Sequence, residues 1–316
     1  MKRLLSYLVV FLLVSALPLQ AEDYGGYAGA FLQLSVQPRA AAMGNAYTAV
    51  ADDATGLFFN PAAATQIKRF TFGGAYRDMS LDRSLQQFAV VFPARNEAAI
   101  GLSVELAGMS GIMGRTSAGV PTEELSNTDL VASVTFARKF TDYFALGGNA
   151  RYFHKKLTDY TTYSVGFDVG ALLTFDEMML AGKAGPVQLL RIGAVVRNIS
   201  AHYPWRIDSE GLGRDADDKV PLAVVLGVSA LGLDRKLLLA ADVEKTEYRS
   251  IKLNLGSELK VFEHAALRAG LAEGRPTFGL GLFSSFGKVD MEIDIALEEA
   301  RNLGGWETII GSYWQF

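Results

Sequence analysis

The segment VDMEIDIALEE, residues 289–299, alternates apolar and polar side chains with a period of two. Its apolar positions are Val289, Met291, Ile293, Ile295 and Leu297, and its charged positions are Asp290, Glu292, Asp294 and Glu298. Successive side chains of a β-strand point to opposite faces of the sheet, so the pattern predicts a strand with one apolar face. The segment SIKLNLGSELKV, residues 250–261, repeats it. Both a soluble β-sandwich and a membrane β-barrel have this alternation, so other features must decide between these two folds.

Strand-like segments of this kind follow one another from residue 68 to the end of the chain. We count fourteen, at 68–77, 84–93, 97–107, 127–138, 143–156, 161–175, 186–197, 219–231, 235–245, 250–261, 265–273, 276–286, 288–299 and 307–316. Each has about the ten residues that a tilted strand needs to cross a bilayer. The sequence therefore predicts an all-β fold, a 14-stranded antiparallel transmembrane β-barrel.

The connections between these segments differ in length in a regular way. If the first strand runs outward, both long irregular connections, 108–126 and 198–218, lie on the outside. The inner connections are short, apart from 176–185. Outer-membrane barrels have short periplasmic turns and longer extracellular loops, whereas a soluble sandwich has no reason to sort its loops.

The first 21 residues have the three regions of a secretory signal. Met1, Lys2 and Arg3 precede an apolar run over 4–14, and a short tail ends at Ala21, although cleavage after Ala16 is an alternative. Without this segment the basic residues fall from 30 to 28 against 34 acidic ones, with no basic cluster, so a nucleic-acid partner is not expected. The sequence predicts export to the outer membrane of a Gram-negative bacterium. It contains no cysteine, so disulfides are excluded.

The chain ends in ETIIGSYWQF, with Trp314 and Phe316 on one face of the last predicted strand. This ending resembles the terminal strand signal that the barrel assembly machinery reads. The alternative is an aromatic edge strand whose rings lie at the lipid interface. In both cases outer-membrane lipid is an expected partner.

Residues 22–67, ahead of the first strand, are predicted to form a small helical plug. A barrel of fourteen strands encloses a lumen that stays open unless something fills it. Pro38 is placed to begin a helix, and Asn60 to cap a turn that Pro61 begins. Phe58 and Phe59 are expected to anchor the plug. For Asp52 and Asp53 three alternatives remain: capping, solvation, or pairing with arginines such as Arg69 or Arg77. The predicted division is signal peptide 1–21, plug 22–67 and barrel 68–316.

The stretch FLQLSVQPRAAAMGNAYTAVADDATGLFFNPAAAT, residues 31–65, resembles the N-terminal signature of the PorV/PorQ family of outer-membrane proteins. The similarity continues in VRNIS, KLNLGSELKVFEHAALRAGLAEG and PTFGLGLFSSFGKVDMEIDIAL. It implies the plugged 14-stranded fold of the FadL long-chain fatty-acid transporters. The residues that correspond to the hatch motif of the family are Asp52, Asp53, Phe58, Phe59, Asn60, Pro61 and Ala62. The sequence departs from the family at Asn45, where glycine is usual, and at Ala63-Ala64, where Gly-Leu often follows.

Catalytic and metal-binding patterns are missing from the sequence. The three histidines, His154, His202 and His264, fall in separate regions, and no nucleophile, phosphate-loop or zinc motif occurs. We therefore expect no enzyme, no cofactor and no metal. The charges predicted to face the lumen, such as Asp294 and Arg268, are expected to form a cross-strand ion-pair network in a wet interior. Asp294→Asn should then be nearly silent.

Two functions remain open. The first is binding and passage of small hydrophobic molecules, because some strands are apolar on both faces; alternatively, Leu190, Ile192, Val196, Val225 and Leu238 only pack on the plug. The second, implied by the family resemblance, is a barrel of type IX secretion that binds exported protein cargo through its outer loops. The residues expected to be exposed there, to ligand or cargo, are Met109, Ile112, Met113, Tyr203 and Trp205.

Overall fold

The computed structural model describes residues 28–180, 186–206, 216–300 and 305–316. The predicted signal peptide and the first residues of the predicted plug, 22–27, lie outside this part of the chain. The described residues form sixteen strands: β1 Thr71–Met79, β2 Arg83–Ala94, β3 Ala98–Arg115, β4 Pro121–Thr141, β5 Phe144–Leu157, β6 Tyr160–Asp176, β7 Val187–Ile199, β8 His202–Trp205, β9 Ala216–Lys219, β10 Ala223–Gly232, β11 Leu237–Thr246, β12 Lys252–Phe262, β13 Ala265–Ala272, β14 Arg275–Phe286, β15 Val289–Glu299 and β16 Trp306–Gln315.

Fourteen of these strands close into one barrel. Each barrel strand pairs antiparallel with its neighbours in the chain, and β1 pairs with β16 to close the ring. Strands β8 and β9 form a separate hairpin between β7 and β10. The predicted 14-stranded antiparallel barrel is confirmed. Among the described residues, no helix is long and apolar enough to cross a bilayer.

The outside of the barrel is apolar, as a surface facing lipid must be. Along β15, Ile293, Ile295 and Leu297 are 38%, 44% and 41% exposed, whereas Asp294 is completely buried on the other face. The predicted row of apolar residues therefore faces outward. We call the end of the barrel with the long hairpins the outer end, and the end with the short turns the inner end. Near the inner end, Phe316 and Trp314 stack on Phe72, and Phe70 contacts Phe92.

The structure departs from the predicted elements mainly at the outer end. The predicted loop 108–126 is largely strand: β3 and β4 pair as far as Arg115 and Pro121, with irregular register at Met109/Ile112 and Met113/Arg115. The predicted loop 198–218 contains the β8–β9 hairpin. At the inner end, the connection after β6 begins with a short helix, Glu177–Leu180. The first strand begins at Thr71 rather than 68.

Residues 28–67, the described part of the predicted plug, pack against inward-facing residues of the barrel strands. They form an α-helix at Pro38–Ala42 and 3₁₀ turns at Ala30–Gln33, Ala54–Phe58 and Pro61–Gln66. The predicted helix beginning at Pro38 is confirmed, but it is only five residues long. Gly44 and Asn45 then reverse the chain with φ of 62° and 65°, a conformation that glycine and asparagine tolerate best. The hydrophobic core lies between plug and wall, where Met43 and Tyr47 pack with Leu238 and Ala240.

Candidate functional site

The hatch residues Asn60, Pro61 and Ala62 join the plug to the barrel wall. Asn60 is completely buried; its Oδ1 accepts the Ala62 N–H at 3.1 Å and so caps the turn that Pro61 begins. Its Nδ2 donates to the carbonyl oxygens of Thr48, at 3.0 Å, and Ala171, at 3.1 Å. One side chain therefore caps a turn, ties two plug segments together and bonds strand β6.

The two acidic residues of the motif have different partners. Asp53 caps the turn that follows it, because its Oδ1 accepts the Gly56 N–H at 3.0 Å, while its Oδ2 accepts short hydrogen bonds from Gln37 and Tyr47. Asp52 pairs with Arg39 at 2.6 Å and lies 3.8 Å from Arg191.

Of the three alternatives for the acidic pair, capping holds for Asp53 and pairing with an arginine holds for Asp52, but the arginine is Arg39, and the named partners Arg69 and Arg77 are wrong. Arg69 binds Asp290, and Arg77 binds Glu298 and Glu307 on the wall. These arginines lie on or just before β1 and pair with acidic residues of the wall, whereas Asp52 pairs with Arg39 of the plug itself.

Phe58 and Phe59, the expected anchors of the plug, are half-buried. The Phe59 ring contacts Tyr47 edge-on, with centroids 5.2 Å apart, and Phe58 packs with the cluster that contains Leu57 and Ile67. Both also line the cavity above the plug.

Glycines in the barrel wall leave room for the plug, and this role was not predicted from the sequence. Nine strands each have one glycine whose missing side chain would collide with, or crowd, a plug atom: Gly101, Gly147, Gly170, Gly193, Gly227, Gly256, Gly270, Gly279 and Gly311. At Gly147 an added Cβ would lie 2.6 Å from the Ala62 nitrogen, and at Gly193 it would lie 2.6 Å from the Thr48 carbonyl oxygen. They could have been predicted from the recurrence of one glycine on the inward face of successive strands.

A chain of ion pairs, buried except at the exposed Asp52, also holds the plug. Arg39 donates from Nε to Glu258 on β12 at 2.7 Å and from Nη1 to Asp52 at 2.6 Å. Glu258 also accepts from Arg268 on β13 at 2.7 Å, and Arg268 bonds Asp294 on β15 at 2.5 Å. Burial by itself lowers the pKa of Arg39, but Asp52 and Glu258 outweigh it and raise that pKa well above its usual value.

This chain of pairs confirms the predicted network and corrects the expectation of a wet interior around it. The side chains of Arg268 and Asp294 are completely buried, because the plug covers them. Leu238, one of the residues apolar on the inward face, likewise packs on the plug.

A chamber lies above the plug, in the outer half of the barrel. It contains about 880 Å³ of empty space, part of it continuous with solvent. Leu32, Leu34, Phe58, Phe59 and Val225 supply much of its apolar lining. Two thirds of the lining residues are polar or charged: Gln33, Ser35, Asn45, Gln87, Glu105, Arg151, Arg197, Asn198, Asp242, Glu244, Thr246, Lys252, Asn254 and Glu273.

The β8–β9 hairpin folds back against the inner side of the wall near this chamber. Tyr203 was expected to be exposed but is 1% exposed, because it packs on Val131, Phe153 and Val220. Burial, followed by the charge of Asp129, raises the pKa of Tyr203 well above its usual value. Trp205 is partly buried on the same cluster and donates from Nε1 to Asp218 at 2.8 Å.

The other predicted surface residues lie on the β3–β4 hairpin. Met113 is 52% exposed, as expected, and Met109 is half-buried. Ile112 lies on the same hairpin, where its backbone pairs with Leu125. The structure therefore separates the five residues into a hairpin exposed at the rim and a hairpin packed inward.

Within the described residues, no group of three or more histidine, aspartate or glutamate side chains is arranged to hold a metal ion. The three histidines remain apart, on β5, on β8 and in the turn before β13.

Comparison with solved structures identifies the fold. The chain is similar to the toluene transporter TbuX of Ralstonia pickettii, with 14% identity and a TM-score of 0.59 over 88% of this chain and 98% of that one. The chain has a FadL-like fold. A FadL homologue of Pseudomonas aeruginosa matches with 13% identity and a TM-score of 0.56 over 89% and 97%, and the toluene transporter TodX of Pseudomonas putida with 13% and 0.55 over 88% and 97%.

At these identities the FadL-like similarity concerns the fold alone. No family model matches the sequence, and no curated protein matches it. The resemblance to PorV/PorQ therefore stays an interpretation of the sequence.

Proposed function

We propose that this chain is an outer-membrane barrel that binds small amphipathic or hydrophobic molecules in its chamber and passes them inward when the plug moves. The observation that carries the proposal is the chamber itself, a cavity with both apolar and polar walls above the plug. The solved structures named above, described as toluene transporters and a FadL homologue, support this choice of function.

The proposal includes the predicted division of the chain. Residues 1–21 serve as a cleaved signal peptide, 22–67 as the plug and 68–316 as the barrel, which the assembly machinery recognises through Trp314 and Phe316. No catalytic step, cofactor or metal is part of the function. Passage requires the hatch motif to loosen, because Asn60 bonds both the plug and β6.

The test replaces Asn60 and Pro61 by glycine together. The change removes the cap, two further hydrogen bonds and a fixed backbone angle, so the closed plug should lose about 1–2 kcal/mol or more. Cells with this variant should take up a hydrophobic dye faster than cells with the unchanged chain. The matched control is Asn96→Gly with Pro93→Gly, which makes the same substitutions at exposed positions. Equal uptake by all three would contradict passage through the plug.

A second candidate is the cargo-binding barrel of type IX secretion. The observation that favours it is the β3–β4 hairpin, whose strands have 18 and 21 residues against 12 in β2 and 14 in β5. Its tip exposes Met113 and Val120, at 52% and 58%, which suits contact with a protein.

The two candidates predict different results for a rim variant. Under the second, Met113→Ala should reduce surface display of secreted proteins while leaving dye uptake unchanged. Trp205→Ala, on the inward-packed hairpin, serves as the comparison. Display that is unaffected by Met113→Ala, or a genome without type IX secretion components, would remove this candidate.

A further inference from the structure

Glu105 is a buried acid, and no base in the described part of the chain forms an ion pair with it. It lies on β3, lines the chamber and is 3% exposed. Among the described residues, no lysine, arginine or histidine nitrogen lies within 4 Å of its carboxylate, whereas the chamber bases Arg197 and Lys252 pair with Glu244. Arg151 forms an ion pair with Asp168 and donates a hydrogen bond to Asn198. An unpaired buried carboxylate costs several kcal/mol, so a cationic ligand beside it would be favoured.

Gln87 stands next to Glu105 and adds a second acceptor. The two residues are direct partners across the β2–β3 ladder, so their side chains share the lumenal face. Gln87 is 4% exposed, and its Oε1 has no hydrogen-bond partner in the described part of the protein. The Gln87 amide N–H hydrogen-bonds the Glu105 carboxylate, so the group left without a partner at this point of the wall is the Gln87 amide oxygen.

Buried acceptor atoms without a partner recur elsewhere in the chamber wall. Asn45 Oδ1 and Asp242 Oδ1 are also unpartnered among the described residues, against a single lining donor atom in that state, Arg197 Nε. Asp242 uses its other oxygen to accept the backbone N–H groups of Tyr47 and Thr48. A ligand that fits these walls brings donors, and a positive charge is favoured by Glu105.

We infer that Glu105 and Gln87 form a recognition subsite for the primary ammonium group of a small amphipathic amine. An ammonium supplies three donors and one positive charge, which the carboxylate and the amide oxygen accept. The apolar part of the ligand then lies against the lining around Leu34 and Phe58. This inference rests on the proposed function, because it names the head group of the ligand that the chamber receives.

The experiment measures binding of three ligands with the same tail and different heads. Hexylamine, 1-hexanol and hexanoate are titrated calorimetrically into the full-length protein in lipid nanodiscs at neutral pH, with empty nanodiscs as blanks. Hexylamine should bind about tenfold more tightly than hexanol, a modest value for a charge-assisted hydrogen bond. Hexanoate should bind most weakly.

A matched pair of variants assigns the preference to the subsite. Glu105→Gln keeps the shape but removes the charge, so hexylamine should fall to the affinity of hexanol while hexanol itself is unchanged. Glu123→Gln makes the same change on the exposed β3–β4 hairpin and should keep the preference for the amine. Heat-modifiable mobility on gels checks that each variant is folded. If Glu105→Gln does not fold, the relative affinities of the three ligands for the unchanged chain test the amine preference.

The outcomes separate the subsite from the proposed function. Equal affinity for the three ligands, preference for hexanoate, or a preference for the amine that survives Glu105→Gln would overturn the subsite and leave the binding chamber standing. Failure of all three ligands to bind would overturn the proposed function, and the subsite with it.

Discussion

Single glycines decide whether the plug fits this barrel. Gly147 and Gly148 are neighbours on β5, but only Gly147 points toward the plug. A Cβ on Gly147 would lie 2.6 Å from the backbone of Pro61 and Ala62, whereas one on Gly148 would have its nearest contact at 3.4 Å, with the Asp168 carbonyl oxygen. The first distance is impossible without a shift of backbone, and the second is ordinary van der Waals contact.

We therefore expect Gly147→Ala to destabilise the protein and Gly148→Ala to be tolerated. Overpacking typically costs about 1–3 kcal/mol, and here the displaced atoms belong to the backbone of the hatch turn. Urea unfolding in lipid vesicles measures the loss, and proteolysis of the plug shows where it falls. Equal stability of the two variants would mean that the wall does not hold the plug at this position.

The sequence predicted the residues of the hatch turn better than their partners. Asn60 and Pro61 act locally, on the next few residues, so capping rules are sufficient to place them. The partner of Asp52 depends on how the plug folds back on itself, which brings Arg39 to 2.6 Å from it. The inward packing of Tyr203 also depends on tertiary contacts, with Phe153 on a distant strand.

At the scale of elements, the barrel strands were predictable because the lipid side requires apolar residues and the lumen side admits polar ones. Polarity therefore alternates from one residue to the next. The same rule does not operate beyond the bilayer, so the outer ends of β3 and β4 and the β8–β9 hairpin were predicted as loops. The rule also says nothing about what fills the lumen. Asp294 was correctly placed on the inner face, yet the plug makes it a buried partner of Arg268 instead of a solvated charge.

Strand β15 allows both faces to be tested at adjacent positions. Ile293 faces lipid near the middle of the strand, so Ile293→Arg should cost about 2–4 kcal/mol if it lies at the midplane of the bilayer. Asp294→Asn should also destabilise, by about 1.5–3 kcal/mol, because it weakens a charged hydrogen bond to the buried Arg268.

The measurement is the free energy of unfolding of both variants in lipid vesicles, with Ile293→Val as the conservative control. A silent Asp294→Asn would favour the solvated interior expected from the sequence. A silent Ile293→Arg would contradict the outward orientation of the strand.

At the scale of the whole molecule, plug and wall depend on each other through Arg39. This side chain joins Asp52 in the plug to Glu258 on β12, and Glu258 in turn binds Arg268. Arg39, Glu258 and Arg268 are buried, so each of these charges is stable only while its partners are present, whereas Asp52 is exposed. The chain of ion pairs therefore holds the plug to the wall. Its removal should loosen the plug more than the barrel, because the fourteen strands are closed by backbone hydrogen bonds.

Arg39→Met tests whether these ion pairs hold the plug. The substitution keeps most of the side-chain bulk but leaves Asp52 without its 2.6 Å partner and Glu258 with only Arg268, a loss of about 3–5 kcal/mol when one member of a buried pair is removed. The control is Lys68→Met, which breaks an exposed ion pair with Glu97, typically a contribution of at most about 1 kcal/mol. Chymotrypsin applied from the inner end should cleave the plug near Phe58 and Phe59 in the Arg39 variant, whereas the unchanged chain and the Lys68 variant should resist. The barrel should keep its heat-modifiable mobility in all three. A plug equally protected in every case would show that packing against the wall glycines holds it without the chain of ion pairs.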